Sequence, residues 1–400
     1  MTDHQTRVLR EDELRAANTL FRAALHVKAS SDEEWERTRG GYQPGRALGV
    51  FDDELIGTAR STDSELTVPG GGQVPLAAVT GVGVRADRTR RGVLTELMRT
   101  QFADFADRGV VAANLFASEG AIYGRFGYGV ATLSRSYTVT PRLARLRPEV
   151  FAGGEVELIG LEPGLDQLPE HYARMTKRPG MMARASYWWT VLSMTLRRGE
   201  EPVTIAVHHG PHEVDGFAIY RVKRTPGGGP SVLQIEDMHA GNADAFAGLW
   251  RFLLGVDLID EIQADSRPLD EPIELLFTDP RACRVTESGD ETWLRLLDVP
   301  AALAARGHAE DGDPLVVEVA DPVLGHNSGR YLVTPDEVRR TDEQAALRLG
   351  VDALAMVYLG GWRPSVLAQA GRVQVAGERT AYAADRLFGA RTTPWCGTFF

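Results

Sequence analysis

Val82-Gly83-Val84-Arg85-Ala86-Asp87-Arg88-Thr89-Arg90-Arg91-Gly92-Val93-Leu94-Thr95 is the stretch on which the reading of this chain turns. With Ala77-Ala78-Val79-Thr80-Gly81 before it, the apolar run 77–84 reads as a strand. Charge from Arg85 to Arg91 breaks that run, and Val93-Leu94-Thr95-Glu96-Leu97-Met98 opens an apolar pattern at helical spacing. A helix start leaves backbone N–H groups without intrahelical acceptors, and the helix dipole adds positive potential there. Such an end binds phosphate. Gly92 lets the backbone approach a pyrophosphate closely, while Arg88, Arg90 and Arg91 supply charge around it. A basic loop before a helix also describes an ordinary solvated helix start, so the next segment has to decide.

That segment begins with a second buried-looking strand, Val110-Val111-Ala112-Ala113-Asn114-Leu115-Phe116-Ala117, after which Ser118 and Glu119 stand where a short helix begins. Tyr123-Gly124-Arg125-Phe126-Gly127-Tyr128 follows, and it resembles the Tyr-x-basic-x-Gly-aromatic signature of the GNAT N-acetyltransferase superfamily. The resemblance implies two parallel strands that splay apart, with the pantetheine arm of acetyl-CoA in the gap and the tyrosine hydroxyl near the thioester sulfur. The chemistry requires such a group: when an amine displaces a thiolate, the leaving sulfur needs a proton or a strong hydrogen bond, and a phenol supplies either. Tyr123 is read as that group and Tyr128 as a core residue with its hydroxyl satisfied.

The run 117–129, with Arg90-Arg91-Gly92-Val93-Leu94 upstream, closely resembles the Eis-type (enhanced intracellular survival) acetyltransferases of actinobacteria. The resemblance extends over nearly the whole chain, through Trp293-Leu294-Arg295-Leu296-Leu297-Asp298-Val299-Pro300-Ala301-Ala302-Leu303 to the end at Phe400. It implies an α+β protein with tandem GNAT-like acetyltransferase domains, the second degenerate, followed by a sterol-carrier-protein-like C-terminal α+β domain. The implied activity is transfer of acetyl from acetyl-CoA to primary amines, either several amines of an aminoglycoside or lysine side chains. The implied assembly is a homohexamer. The implied cofactor contacts are Val82, Gly83 and Val84 along the strand, Arg90, Arg91, Gly92, Val93, Leu94 and Thr95 around the pyrophosphate, and Ser118 with Glu119. Tyr123 is the implied general acid, the free carboxylate of Phe400 the implied base, and Trp35 a wall of the amine pocket. Thr89 departs from the Gln or Arg usual in the superfamily three residues before the first loop glycine. Leu94 departs from the superfamily's Gly or Ala but matches the Eis type.

Composition agrees with several cores, since 400 residues with 43% apolar content exceed one ordinary domain. No apolar run approaches the ~20 residues of a membrane span, and the polar start Met1-Thr2-Asp3-His4-Gln5 lacks a secretory segment, which predicts a cytoplasmic protein with no membrane partner. The net charge of −11 argues against nonspecific nucleic-acid binding and suits a small cationic amine substrate, although ordinary solubility explains it equally well. Cys283 and Cys396 have no metal-like spacing, and His208-His209-Gly210-Pro211-His212 reads as exposed hairpin histidines, so no metal is expected. Gly227-Gly228-Gly229 reads as a hairpin loop without a phosphate role.

Domain boundaries are expected at 1–140, 141–292 and 293–400. The second region repeats the first element for element, but its loop reads His239-Ala240-Gly241-Asn242-Ala243-Asp244 and lacks the arginines, so it should not bind CoA and should instead shape the substrate cavity. Tyr187-Trp188-Trp189 within it could line a substrate pocket but reads more readily as core or interface. The end Thr392-Thr393-Pro394-Trp395-Cys396-Gly397-Thr398-Phe399-Phe400 is too apolar to fray in solvent and should dock into protein. Two rival readings remain: a GNAT-derived binding protein with a lipid-binding C-terminal domain, and a GNAT acting on polyamines.

Overall fold

The computed structural model describes residues 4–199, 201–224, 227 and 229–400; Met1-Thr2-Asp3 of the polar start and Gly228 of the glycine loop lie outside the described residues. The chain divides into two units, one made of Met1–Thr132, Arg178–Val191 and Glu291–Phe400, the other of Leu133–Lys177 and Leu192–Asp290.

In the first unit the elements follow as β1 (Gln5–Val8), α1 (Leu14–Ala24), α2 (Asp32–Thr38), β2 (Ala47–Asp52), β3 (Glu54–Thr67), β4 (Gln73–Val84), α3 (Val93–Asp107), β5 (Ala112–Leu115), α4 (Gly120–Tyr123) and β6 (Gly129–Val130). They form one sheet in the order β1-β2-β3-β4-β5, then strand Trp293–Leu296, then β6. Most pairs are antiparallel, but β4 and β5 run parallel because α3 carries the chain back between them. The apolar stripe of α3, Val93, Leu97, Met98, Phe102 and Phe105, packs on one face of the sheet with Val50, Ile56 and Val79. Helix α1 packs against β4, where a Cβ on Gly83 would stand 3.0 Å from the Phe21 Cα; the missing side chain is what permits the approach.

The opposite face of the sheet, through Leu66, Val68, Val74, Leu76 and Ala78, shares one core with the C-terminal part of the chain. There a five-stranded sheet runs in the order Val338–Arg340, Gly329–Val333, Leu315–Ala320, Leu347–Gly350, Val373–Val375, with helix Val351–Tyr358 buried at every position but Asp352. Strand Trp293–Leu296 belongs to the first sheet, yet its Arg295 is fully buried and its Nη2 donates to both carboxylate oxygens of Asp321, at 2.7 and 2.8 Å. Asp321 also accepts from Asn327 at 2.9 Å, which satisfies the carboxylate of a buried pair whose breakage would strand a charge.

The second unit is built on its own seven-stranded sheet, from Cys283–Asp290 at one edge to Glu155–Ile159 at the other. Its parallel pair, Ser231–Ala240 with Glu261–Pro268, ends its register at Ile235 and Ala264. Beyond that point Arg267 reaches across to the Met238 carbonyl at 2.6 Å while Glu271 holds its other nitrogens at 2.6 and 3.0 Å, so side chains fill the opening. Helix Ala243–Leu254 is capped by Asn242, whose Oδ1 accepts from the Ala245 amide at 2.8 Å, and Asn242 in turn donates to the Asp215 carboxylate at 2.6 Å. An anion site needs free amides and positive charge; this helix start has its amide capped and a carboxylate beside it, which gives the degeneracy of the repeat a physical form.

Candidate active site

Strand β4 outruns its parallel partner. The last register pair is Ala78 with Asn114, and β4 continues to Val84 while β5 ends at Leu115. A bulge helps to bend β4: its register against β3 slips between Thr58 and Arg60, where Gly81 takes φ +64 and a Cβ would meet the Arg60 side chain at 3.0 Å. The backbone of 79–84 thus keeps β3 on one side and has no register partner in β5 on the other, leaving an edge able to pair with an extended amide-bearing chain. Val82, Gly83 and Val84 all lie on that edge.

At the end of β4 the chain turns through Arg90 at φ +62 and Gly92 at φ +85 into α3. No side chain caps α3, and its first intrahelical bond runs from the Glu96 amide to the Gly92 carbonyl at 3.0 Å, so the amides of Val93, Leu94 and Thr95 precede the hydrogen-bonded ladder. The arginines divide by their partners. Arg88 is held by Asp87 at 3.0 Å and faces Asp52 at 3.5 Å, whereas Arg90 and Arg91 are exposed and have no ion-pair partner among the described residues. Two unneutralised guanidiniums beside three uncapped amides fit a pyrophosphate, and the β4 edge fits the amides of a pantetheine arm.

Ser118 and Glu119 are exposed at the start of α4, and Tyr123 closes that helix, 6% exposed. Its ring stands edge-on to Tyr128 at 5.8 Å, and its hydroxyl makes no hydrogen bond among the described residues. Burial, with the charge of Glu119 adding to it, pushes the Tyr123 pKa up to about 12. Tyr128 is fully buried as expected, but its hydroxyl is not satisfied: Oη has no partner among the described residues.

The C-terminus reaches the fork from the far end of the sequence. Phe400 lines a cavity of about 20 Å3, enough for a single water, with Thr62, Ser64, Ala78, Thr80 and Tyr187. Ala78 is the last residue of β4 paired with β5, and Thr80 lies just past it. The Phe116 ring, next after β5, packs against Phe399 at 4.9 Å and Phe400 at 5.2 Å. Asp63 lines the same cavity, but its charge is committed to Arg108 at 2.5 Å and Arg46 at 3.3 Å; burial works upward on its pKa and these cations outweigh it, holding the carboxyl below its usual range. Cys396 is fully buried, its Sγ donating to the Thr398 carbonyl at 3.3 Å, and burial raises its pKa, so it rests as an inert thiol.

Trp35 is buried with its ring 5.7 Å from Tyr42, and it lines a different cavity, of about 450 Å3, with Leu9, Leu14, Tyr42 and Pro44. Of the hairpin histidines, His208 departs from the exposed reading: it is buried, accepting from the Gly154 amide at 2.7 Å and meeting Asp215 at 2.5 Å through Nδ1. Among the described residues no group of three or more His, Cys, Asp or Glu side chains is arranged to hold a metal.

Sequence reasoning missed the residues that hold the tail. Arg184 donates to the Thr398 hydroxyl at 2.9 Å and the Gly397 carbonyl at 2.6 Å, Trp188 donates to the Phe399 carbonyl, and Glu291 accepts from two tail amides. It also missed Asn114, 1% exposed at the fork with an Oδ1 that has no partner among the described residues. The one available signal was Trp188-Trp189, which looks like core and is largely buried.

A parallel pair opened at a bulge, an uncapped basic helix start and a buried tyrosine after the second strand together define a GNAT acetyltransferase. Comparison with known proteins agrees: acetyltransferase (GNAT) domain models match residues 5–131 and 180–296, and a sterol carrier protein domain model matches 299–397. The chain belongs to the Eis-type family of GNAT N-acetyltransferases, and it is an acetyl-CoA-dependent enzyme acting on amines. It is 34% identical to the N-acetyltransferase Eis of Mycobacterium tuberculosis over 88% of this chain and 86% of that one, and 38% identical to an uncharacterized N-acetyltransferase of Streptomyces coelicolor over 98% of each. Among solved structures, Eis1 from Mycobacterium abscessus matches with a TM-score of 0.92 at 39% identity, covering 99% of this chain and 100% of that one. No helix among the described residues is long and apolar enough to cross a membrane.

Proposed function

We propose that the chain acetylates primary amines of aminoglycosides or lysine side chains, with the Phe400 carboxylate as base and Tyr123 as acid. Acetyl-CoA supplies the acyl group as a thioester. Arg90, Arg91 and the amides of Gly92, Val93, Leu94 and Thr95 hold its pyrophosphate, Val82, Gly83 and Val84 pair with its pantetheine arm, and Ser118 with Glu119 line its reactive end. An aliphatic ammonium of pKa near ~10 must lose its proton before or during attack. The Phe400 carboxylate accepts that proton, directly or through one water in the adjoining cavity, as the new C–N bond forms and the C–S bond breaks. Tyr123 donates its hydroxyl hydrogen to the leaving sulfur; the second nitrogen proton, lost as the amide forms, returns through solvent to the phenolate, and the Phe400 carboxyl releases the first to water. The observation that most supports this reading is the seat of Phe400 beside Ala78 and Thr80, where β4 parts from β5. The same reading includes a cytoplasmic homohexamer, Trp35 as part of the acceptor side, and domains at 1–140, 141–292 and 293–400.

The test is acceptor-dependent thiol release from acetyl-CoA with aminoglycosides, lysine peptides and polyamines, on the native chain and on one carrying a single glycine after Phe400. The extension turns the Phe400 carboxylate into a peptide carbonyl and moves the charge ~3.5 Å. Release with aminoglycosides or lysine peptides should fall about 10²-fold or more on extension while acetyl-CoA still binds. Undiminished turnover of the extended chain would place the base elsewhere; release with polyamines alone would overturn the acceptor class.

A further inference from the structure

A terminus that works as a catalytic group has to be held as firmly as a side chain, and chain ends fray unless they are tied down. Each of the five residues before Phe400 is tied by a hydrogen bond. The Trp395 amide donates to the Pro179 carbonyl at 2.9 Å. The next two amides, Cys396 and Gly397, donate at 2.9 Å each to the two separate oxygens of one carboxylate, that of Glu291, which is 4% exposed. Consecutive amides can converge on one anion only where the chain turns sharply, and Gly397 provides the turn with φ +62. A Cβ there would lie 2.4 Å from the Trp395 ring, so no larger residue fits this turn as it stands. Beyond it Arg184 takes the Gly397 carbonyl and the Thr398 hydroxyl with two nitrogens, its guanidinium stacked 3.8 Å over Trp188, and Trp188 binds the Phe399 carbonyl. Every residue from Trp395 to Phe399 is thus fixed by a hydrogen bond, and the last one stands beside the terminal carboxylate.

We propose that Glu291, supported by Arg184, is a positioning residue for the C-terminal base: its carboxylate receives the Cys396 and Gly397 amides and so sets where the Phe400 carboxylate stands at the fork. The inference rests on Phe400 being the base. Neither residue touches the reacting atoms in this scheme; both act through the tail. A glutamine at 291 keeps the shape but turns one acceptor oxygen into an NH2 group facing an N–H donor, which breaks one arm of the turn. A shift of about 1 Å in a catalytic group costs on the order of 10²-fold in rate.

The experiment is a double-mutant cycle between Glu291→Gln and the single-glycine C-terminal extension, read as kcat and acetyl-CoA KM at saturating acceptor. Glu291→Gln alone should lower kcat about 10²-fold with the KM for acetyl-CoA unchanged and the near-UV circular dichroism preserved. In the extended chain, where the carboxylate is already displaced, the same substitution should change kcat less than about twofold. Arg184→Lys, which keeps the charge and loses the two-pronged contact, carries the same cycle should Glu291→Gln fail to fold. Full kcat in these variants, or a loss that multiplies with that of the extension, overturns the proposal while leaving Phe400 as base. An extension that itself leaves kcat intact removes the base, and this proposal with it.

Discussion

Tyr123 and Tyr128 sit five positions apart in one motif, and their surroundings give them opposite prospects. Both are buried, but Tyr123 ends α4 with a hydroxyl that makes no hydrogen bond among the described residues and is not wholly enclosed, while Tyr128 Oη is enclosed without a partner among them. Tyr123→Phe should lower turnover by roughly 10²–10⁴-fold with acetyl-CoA affinity little changed. Tyr128→Phe deletes an unsatisfied buried hydroxyl and should leave both activity and stability near the native values. Steady-state kinetics and thermal melts on the two variants separate these outcomes. The raised Tyr123 pKa also has a sign. The folded phenol keeps its proton up to about 12 whereas the unfolded one releases it near ~10, so its contribution to stability is complete below ~10 and is lost as pH rises through about 12. The native chain should therefore lose stability over that alkaline window more steeply than Tyr123→Phe, and turnover should show no falling limb from Tyr123 below it. Equal alkaline denaturation profiles would mean that the hydroxyl is not desolvated.

At the scale of elements, the site is the difference between two copies of one strand pair. In the first unit β4 runs past β5 and nothing from the sheet closes the gap; in the second, Arg267 and Glu271 occupy it and a carboxylate stands beside the helix start. The loss of arginines from the second loop was legible in the sequence, because charge in a short loop is a local property. The filling of the second fork was not, since it depends on Arg267 reaching a carbonyl 29 residues away. In the first loop the sequence treats Arg88, Arg90 and Arg91 alike, yet its neighbour Asp87 and Asp52 at the end of β2 already engage Arg88. Arg90→Ala with Arg91→Ala should weaken acetyl-CoA binding by about 1.5–3 kcal/mol per lost charge-assisted contact, toward the lower end for such exposed groups. Arg88→Ala should cost less, because its charge is already compensated. Calorimetric titration of the folded variants checks the order; unchanged affinity in the double variant would remove this loop from the cofactor site.

For the whole first unit, the tail's apolar composition foretold that it docks, while its fastenings stayed hidden: Arg184 and Glu291 lie 213 and 106 residues from Gly397, and no local pattern links them. The same non-local logic governs stability. Strand Trp293–Leu296 completes the acetyltransferase sheet, and Leu66, Val68, Val74, Leu76, Leu294 and Leu296 lie in one core with Leu315, Val317, Tyr331, Leu354 and Phe388 of the C-terminal part. Removing residues 299–400 would bare those six aliphatic side chains. At ~1.5–3 kcal/mol for each large apolar side chain returned to water, the loss is on the order of the 5–15 kcal/mol that holds a whole domain folded. It would also strand the buried Arg295, whose charge is matched by Asp321 of the removed part. A chain ending at Asp298 should therefore be no free-standing acetyltransferase: it should bind a hydrophobic dye, show no cooperative thermal transition and fail to bind acetyl-CoA, although every residue proposed to touch the cofactor is still present. A sharp melt with native acetyl-CoA affinity in that fragment would mean that the shared core is dispensable and that the C-terminal part serves the enzyme only through its last residue.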